Sequence, residues 1–185
     1  MDGIAWAASA MIAARTRLEI ATENLANVST DGFRRSAAGG FLTALGVKVE
    51  RRPGAERGAL RHTGRDLDLA IVGDGAFRMR DASGGVRETR AGAFVRQSDG
   101  TLRDARGGTL LGERGAFRGA RFDAPALGLP ASSRVAAGYL ETSGVDAIAE
   151  MIDVLAAERS FESAQKAVTA IDASRQKSSD AARVK

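Results

Sequence analysis

The segment GIAWAASAMIAARTRLEIATENLANV, residues 3–28, sets Ile4, Ala7, Met11, Ala14, Leu18, Ala21, Leu25 and Val28 at alternating spacings of three and four. That alternation keeps one apolar stripe against a partner helix along a supercoiled contact. Near the other end of the 185-residue chain, Val154, Ala157, Phe161, Ala164, Val168 and Ile171 repeat it. Large side chains hold one heptad position and mostly alanines the other, which lets paired backbones approach closely. The first segment predicts one helix of roughly 37 Å at standard rise, stopped by the turn chemistry of Ser29-Thr30-Asp31-Gly32. The last helix is expected from about Val145, with Ser143 as its N-cap in a capping box with Asp146, to the mid-170s.

Each terminal helix carries a second apolar stripe. On the first it is Trp6, Ala13 and Ile20; on the last it is Ile148, Met151, Ile152 and Leu155. A helix apolar on two sides needs cover on two sides. The partner helix supplies one cover, and either the region between the helices or a neighbouring molecule supplies the other. A repeated contact that is not self-complementary builds a ring or a filament.

Between the helices the period changes to two. Leu67, Leu69 and Ile71 alternate with Asp66, Asp68 and Ala70, and Phe77 and Met79 alternate with Arg78 and Arg80. Turn signals recur at Asp74-Gly75, Ser83-Gly84-Gly85, Asp99-Gly100 and Gly107-Gly108. This punctuation indicates antiparallel hairpins, the clearest at Asp99-Gly100. The expected fold class is α+β: long N- and C-terminal helices packed as a coiled-coil-like layer, with a central antiparallel all-β domain. The expected division is a discontinuous helical domain at 1–32 and 143–178, and a transition segment at 33–65 with a short strand at Val47-Lys48-Val49. A β-domain with its return segment follows at 66–142, then a flexible tail at 179–185.

Composition narrows the function. There is no cysteine and a single histidine, His62, which removes thiol chemistry and makes a metal cluster or a nucleophile–base–acid triad a poor fit. No cofactor or small-molecule substrate is expected, and no catalytic set is apparent. Asp66 and Asp68 read as solvent-facing strand positions. Arginine outnumbers lysine 23 to 4, yet no basic run exceeds two residues and aromatics make up 5%. A nucleic-acid-binding module is therefore the alternative of a different class, not the leading one. No segment is long enough to span a membrane. The apolar stretch from Ile4 to Ala14 lacks the positive flank of a signal peptide and is expected to be retained.

Three segments resemble the bacterial flagellar rod and hook family of axial proteins. The first, Glu23-Asn24-Leu25-Ala26-Asn27-Val28-Ser29-Thr30-Asp31-Gly32-Phe33, is similar to the family's N-terminal signature. The second, residues 67–77 through Gly73-Asp74-Gly75 with Thr89-Arg90-Ala91-Gly92-Ala93-Phe94 after it, is similar to its β-region. The third, Gly138-Tyr139-Leu140-Glu141-Thr142-Ser143-Gly144-Val145 followed by residues 158–162, looks like its C-terminal segment. The stretch from about Gly115 to Arg134 is short for the family, so the resemblance is to a shortened member.

The resemblance implies a structural subunit of the basal-body rod, or alternatively a shortened hook-like subunit. Its partners would be other rod and hook subunits and itself, with the flagellar export apparatus during secretion without a cleaved signal. It would polymerise into the periplasm-spanning drive shaft through the seam residues Ile4, Met11, Leu18, Leu25, Val154, Phe161, Val168 and Ile171. Of the signature residues, Asn24 is expected to hydrogen-bond a packed neighbour. Asn27 and Thr30 are expected to cap the helix, and Gly32 to make a tight turn before Phe33.

Overall fold

A computed structural model describes residues 3–43 and 46–183. The chain forms two compact units, and each draws on separated stretches of sequence.

The first unit holds α1 (Gly3–Ala26), β1 (Ser36–Thr43), β2 (Gly46–Pro53) and α2 (Ala147–Arg183). The helices are antiparallel: Asn24 bonds Glu150, while a Cβ on Gly3 would stand 3.3 Å from Ile171 Cδ1. Among the described residues, every buried apolar side chain on the two helices except Ile20 is an alanine. Ala7, Ala14 and Ala21 of α1 recur at seven, as do Ala157 and Ala164 of α2. Close approach is thus built on alanine, and the larger seam residues flank it half-buried.

The second stripe of α1 is covered within this unit at Ala13 and Ile20, while Trp6 stays exposed. Ala13 and Ile20 are 2% and 3% exposed, and α1 packs on β1 and β2. Burying Ile20 in this way contributes about 1.5–3 kcal/mol. Ser9 fixes the hairpin's height, because its Oγ accepts the Val47 N–H at 3.2 Å. Gly46 has φ +130°, and a Cβ there would lie 2.0 Å from that same Oγ. About half of the expected transition segment is therefore a two-stranded ribbon of eight residue pairs, from Ser36↔Pro53 to Thr43↔Gly46, not a connector. Hydrophobic alternation was readable only at Val47 and Val49, because β1 packs small residues that leave no periodic signal.

α2 also departs from expectation at both ends. Its cap is Asp146, whose Oδ1 accepts the N–H groups of Ile148 at 2.9 Å and Ala149 at 3.3 Å. Ser143 instead accepts the Val145 N–H within the loop before it. At the far end the helix continues through the expected tail to Arg183, and Val184 and Lys185 lie outside the described residues. No glycine or proline interrupts residues 147–183, and the terminal stretch is rich in good helix formers.

The second unit is all-β apart from one 3₁₀ turn at Pro125–Leu127. Its strands are β3 (Leu60–His62), β4 (Leu69–Val72), β5 (Phe77–Arg80), β6 (Val86–Thr89), β7 (Val95–Arg96), β8 (Leu102–Arg103), β9 (Thr109–Gly112), β10 (Gly115–Ala116), β11 (Arg134–Ala137) and β12 (Tyr139–Glu141). The main sheet runs β6-β5-β9-β8-β7, with β10 hairpinned onto β9; β4 pairs with β11 and β3 with β12, all antiparallel. The core lies under the main sheet, where Phe77 and Phe94 meet edge to face at 5.3 Å and Met79, Leu102 and Leu110 are fully buried. The Asp99-Gly100 hairpin forms as read, joining β7 to β8. Asp99 Oδ1 accepts both the hydroxyl and the N–H of Thr101, and these bonds hold its carboxyl below the ordinary aspartate range.

Asp66 is exposed but Asp68 is 1% exposed, which corrects its reading as a solvent-facing position. Its backbone is bridged to Ala93 and its carbonyl accepts the Gly138 N–H at 2.8 Å. The chain there is walled on both sides, and strand alternation no longer reports exposure. Arg65 Nε stands 3.7 Å from the buried carboxylate.

Candidate functional site

The residues singled out by the sequence gather in three places. The first is a buried polar joint in the helical unit. Asn24, on the last turn of α1, is completely buried. Its side-chain amide pairs with Ser36 as a strand would: Oδ1 accepts the Ser36 N–H at 2.9 Å and Nδ2 donates to the Ser36 carbonyl at 2.8 Å. The same Nδ2 donates to Glu150 Oε2 at 3.1 Å. Arg35 Nε donates to the other oxygen of Glu150, and its Nη2 reaches Asp153 at 3.2 Å. Glu150 is 1% exposed. Asn24 thus ties the end of α1, the start of β1 and the first turn of α2 into one network. The packed neighbour it bonds belongs to its own chain.

The second joint is in the β unit, around an ion pair with both side chains 4% exposed. Arg90 donates through Nη1 to Glu141 Oε2 at 2.7 Å, through Nε to the Gly75 carbonyl at 3.0 Å, and through Nη2 to the Gly73 carbonyl. The Gly73-Asp74-Gly75 turn is held further by Ser133, which donates to the Asp74 carbonyl at 2.6 Å, and by Arg57, which pairs with the Asp74 carboxylate. Gly32 reaches the same place: its N–H donates to the Glu141 carbonyl at 2.7 Å. All three signature segments therefore meet around one buried guanidinium.

Gly32 has φ +69°, and a Cβ on it would lie 2.2 Å from the backbone nitrogen of Ala91. Gly32→Ala is expected to cost about 2–3 kcal/mol from left-handed strain and a backbone clash, seen as a lower urea midpoint. A midpoint within experimental error of the parent would refute it.

The remaining motif residues are local fasteners. The Thr30 N–H donates to the Asn27 carbonyl at 3.0 Å and its hydroxyl to Asn27 Oδ1 at 3.2 Å, closing the turn after α1. Thr142 bonds the Ala59 carbonyl through both its N–H and its hydroxyl. Leu25 and Phe33 are half-buried, and Ala26 is exposed.

The third place is a surface. Ile4, Met11, Leu18, Leu25, Val154, Phe161, Val168 and Ile171 are all half-buried, on helices that already face each other within the chain. The second stripe of α2 is different: Ile148, Met151, Ile152 and Leu155 are 72%, 53%, 60% and 54% exposed. On the same helical pair, a groove of about 450 Å³ is lined by Ala7, Ala10, Ser163, Ala164 and Ala167, with Arg159 and Ser160.

Sequence reasoning did not single out Arg35, Arg90 or Glu150. A signal existed for Glu150. It stands seven residues before Ala157 on the buried heptad position, where a carboxylate requires a partner. Arg90 lies within the second signature segment, but nothing in its local sequence separates a buried guanidinium from the many exposed ones. Among the described residues, no three His, Asp or Glu side chains gather as metal ligands, and no helix is long and apolar enough to cross a membrane.

Comparison with known proteins converges on the same segments. Residues 4–34 match the flagella basal body rod protein family, and residues 136–181 match the C-terminal family of the flagellar basal body rod FlgEFG proteins. The chain is 26% identical to the flagellar basal-body rod protein FlgG of Agrobacterium fabrum, over 93% of this chain and 96% of that protein. That alignment runs to 253 positions against 185 residues here, so the relative carries internal insertions that this chain lacks. Identity to the flagellar hook protein FlgE of Rhizobium meliloti is 37% over 56% of this chain, and to that of Salmonella typhimurium 35% over 57%. Those matches span only 28% of each hook protein.

Proposed function

We propose that the chain is a structural subunit of the flagellar rod and hook kind, supported by its similarity to rod and hook proteins at both ends, and that it polymerises into the basal-body rod through its terminal helices. The observation that carries this is the ridge of Ile148, Met151, Ile152 and Leu155. Four large apolar side chains, each more than half exposed, lie within two turns of one helix. Leaving such a ridge in water forgoes roughly 25 cal/mol for each Å² that a neighbour would cover. Sister subunits are the neighbours that a polymer supplies.

The contact would be heterologous. The ridge of one molecule would seat in the alanine-lined groove of the next, and the half-buried seam residues would extend the contact. A contact between two different patches propagates instead of closing on itself. The rod is favoured over the hook because the match to a rod protein spans nearly the whole of both chains. The subunit would act without catalysis, carrying torque through many small contacts. It would reach its place by flagellar export without loss of its first helix.

Ile148→Asp combined with Ile152→Asp is expected to abolish incorporation into basal bodies and swimming in soft agar. Both side chains are exposed, so the purified variant should keep the parent's unfolding free energy in urea within about 0.5 kcal/mol. Normal motility with normal incorporation would refute the ridge as the assembly contact.

A further inference from the structure

From Phe77 to Arg121 the chain carries ten arginines against five carboxylates. Arg90 is committed to Glu141, and Arg87 to both Asp81 and Asp104. The register of the main sheet places two of the others in one line. Val86 lies opposite Arg80, Arg80 opposite Thr109, Thr109 opposite Arg103, and Arg103 opposite Val95.

This row crosses all five strands on the face turned away from the core. Met79, Leu102 and Leu110, next along the same strands, are fully buried on the other face. Arg80 and Arg103 are exposed, and Val86 and Val95 at the ends are 58% and 55% exposed. Arg103 lies close enough to help hold the Asp99 carboxyl low, but no hydrogen bond or ion pair within the described residues engages either guanidinium. The carboxylate on this face of the sheet, Glu88, lies in the next row opposite Arg78.

We propose that this row is a docking surface for an acidic amphipathic helix. Two strand spacings separate the guanidinium stems by about 10 Å, and four separate the valines by about 19 Å. A helix with carboxylates seven residues apart presents them about 10.5 Å apart on one face, and apolar residues one turn outside each fall over the valines. Guanidinium and carboxylate match in charge and in planar geometry. The flanking valines favour this partner over a nucleic-acid strand, which would leave them uncovered, and the row offers no aromatic ring on which a base can stack.

The test uses the full chain and two fluorescein-labelled 20-residue helical peptides of identical composition. One carries glutamates seven apart with a leucine four residues outside each; in the other the glutamates are moved to the opposite face. Fluorescence anisotropy near physiological salt is expected to show saturable binding of the first only. Arg80→Ala with Arg103→Ala should weaken it about tenfold. Val86→Ser with Val95→Ser should weaken it about threefold, and Arg106→Ala should leave it unchanged. All of these side chains are exposed, and unchanged circular dichroism checks the fold. Absence of binding, equal binding of both peptides, indifference to the double arginine variant, or tighter arginine-dependent retention on duplex DNA would each overturn the proposal.

Discussion

Glu141→Ala is expected to lower the stability of the β unit by about 3–5 kcal/mol, the usual cost of leaving one member of a buried ion pair without its partner. For a unit of this size, that is a fall of about 15 °C or more in melting temperature. The guanidinium it strands cannot turn to water, because Arg90 is 4% exposed and pinned by the Gly73 and Gly75 carbonyls. Glu141→Gln keeps an acceptor and should lose less. Replacing the pair with Arg90→Met and Glu141→Leu should recover much of the loss but not all. The two glycine carbonyls would still lack a donor, at about 1–3 kcal/mol for each group left dry. Urea titration followed by circular dichroism separates these cases. A loss below about 1 kcal/mol in Glu141→Ala would mean that the pair does not hold this joint.

Asn24→Ala should cost about 2–4 kcal/mol in the helical unit, because it unpairs the Ser36 N–H and carbonyl and removes a donor from a buried carboxylate. The expected signs are faster hydrogen exchange at the Ser36 amide and reduced helical content at 222 nm. Asn24→Asp should be worse than alanine, since it sets a second carboxylate against Glu150. Glu150→Ala should be milder, because Arg35 is 23% exposed and can turn toward solvent. The two alanine variants share one network, so their costs should couple by about 0.5–3 kcal/mol instead of adding. Unchanged Ser36 exchange in Asn24→Ala would show that β1 is held by other contacts.

These joints explain why the signature segments read as motifs. Asn24 and Glu141 were legible as residues of interest because each sits in a recognisable local pattern. The guanidiniums that complete the two joints were not. Arg35 lies in a short basic pair that suggests only charge, and Arg90 sits between turn residues. The contacts span 115 positions from Arg35 to Glu150 and 51 from Arg90 to Glu141. Local periodicity holds no record of such pairings, which are settled by chain topology. Asp68 illustrates the same limit. Asp66 and Leu67 form a turn and the strand begins only at Leu69, so the alternation read from Asp66 does not report exposure, which depends on what packs from outside.

The sequence by itself determined the elements: two long helices with alanine-rich seams, a hairpin at Asp99-Gly100, and end segments that resemble those of rod and hook proteins. Spacing along the chain fixes which side chains share a face, and that requires no knowledge of the rest of the molecule. The tertiary structure alone decided which face is spent. The alanine seams close within one chain and the β1–β2 ribbon covers Ile20, while Ile148, Met151, Ile152 and Leu155 stay in water. Burial belongs to pairs of surfaces, and a sequence supplies one surface at a time.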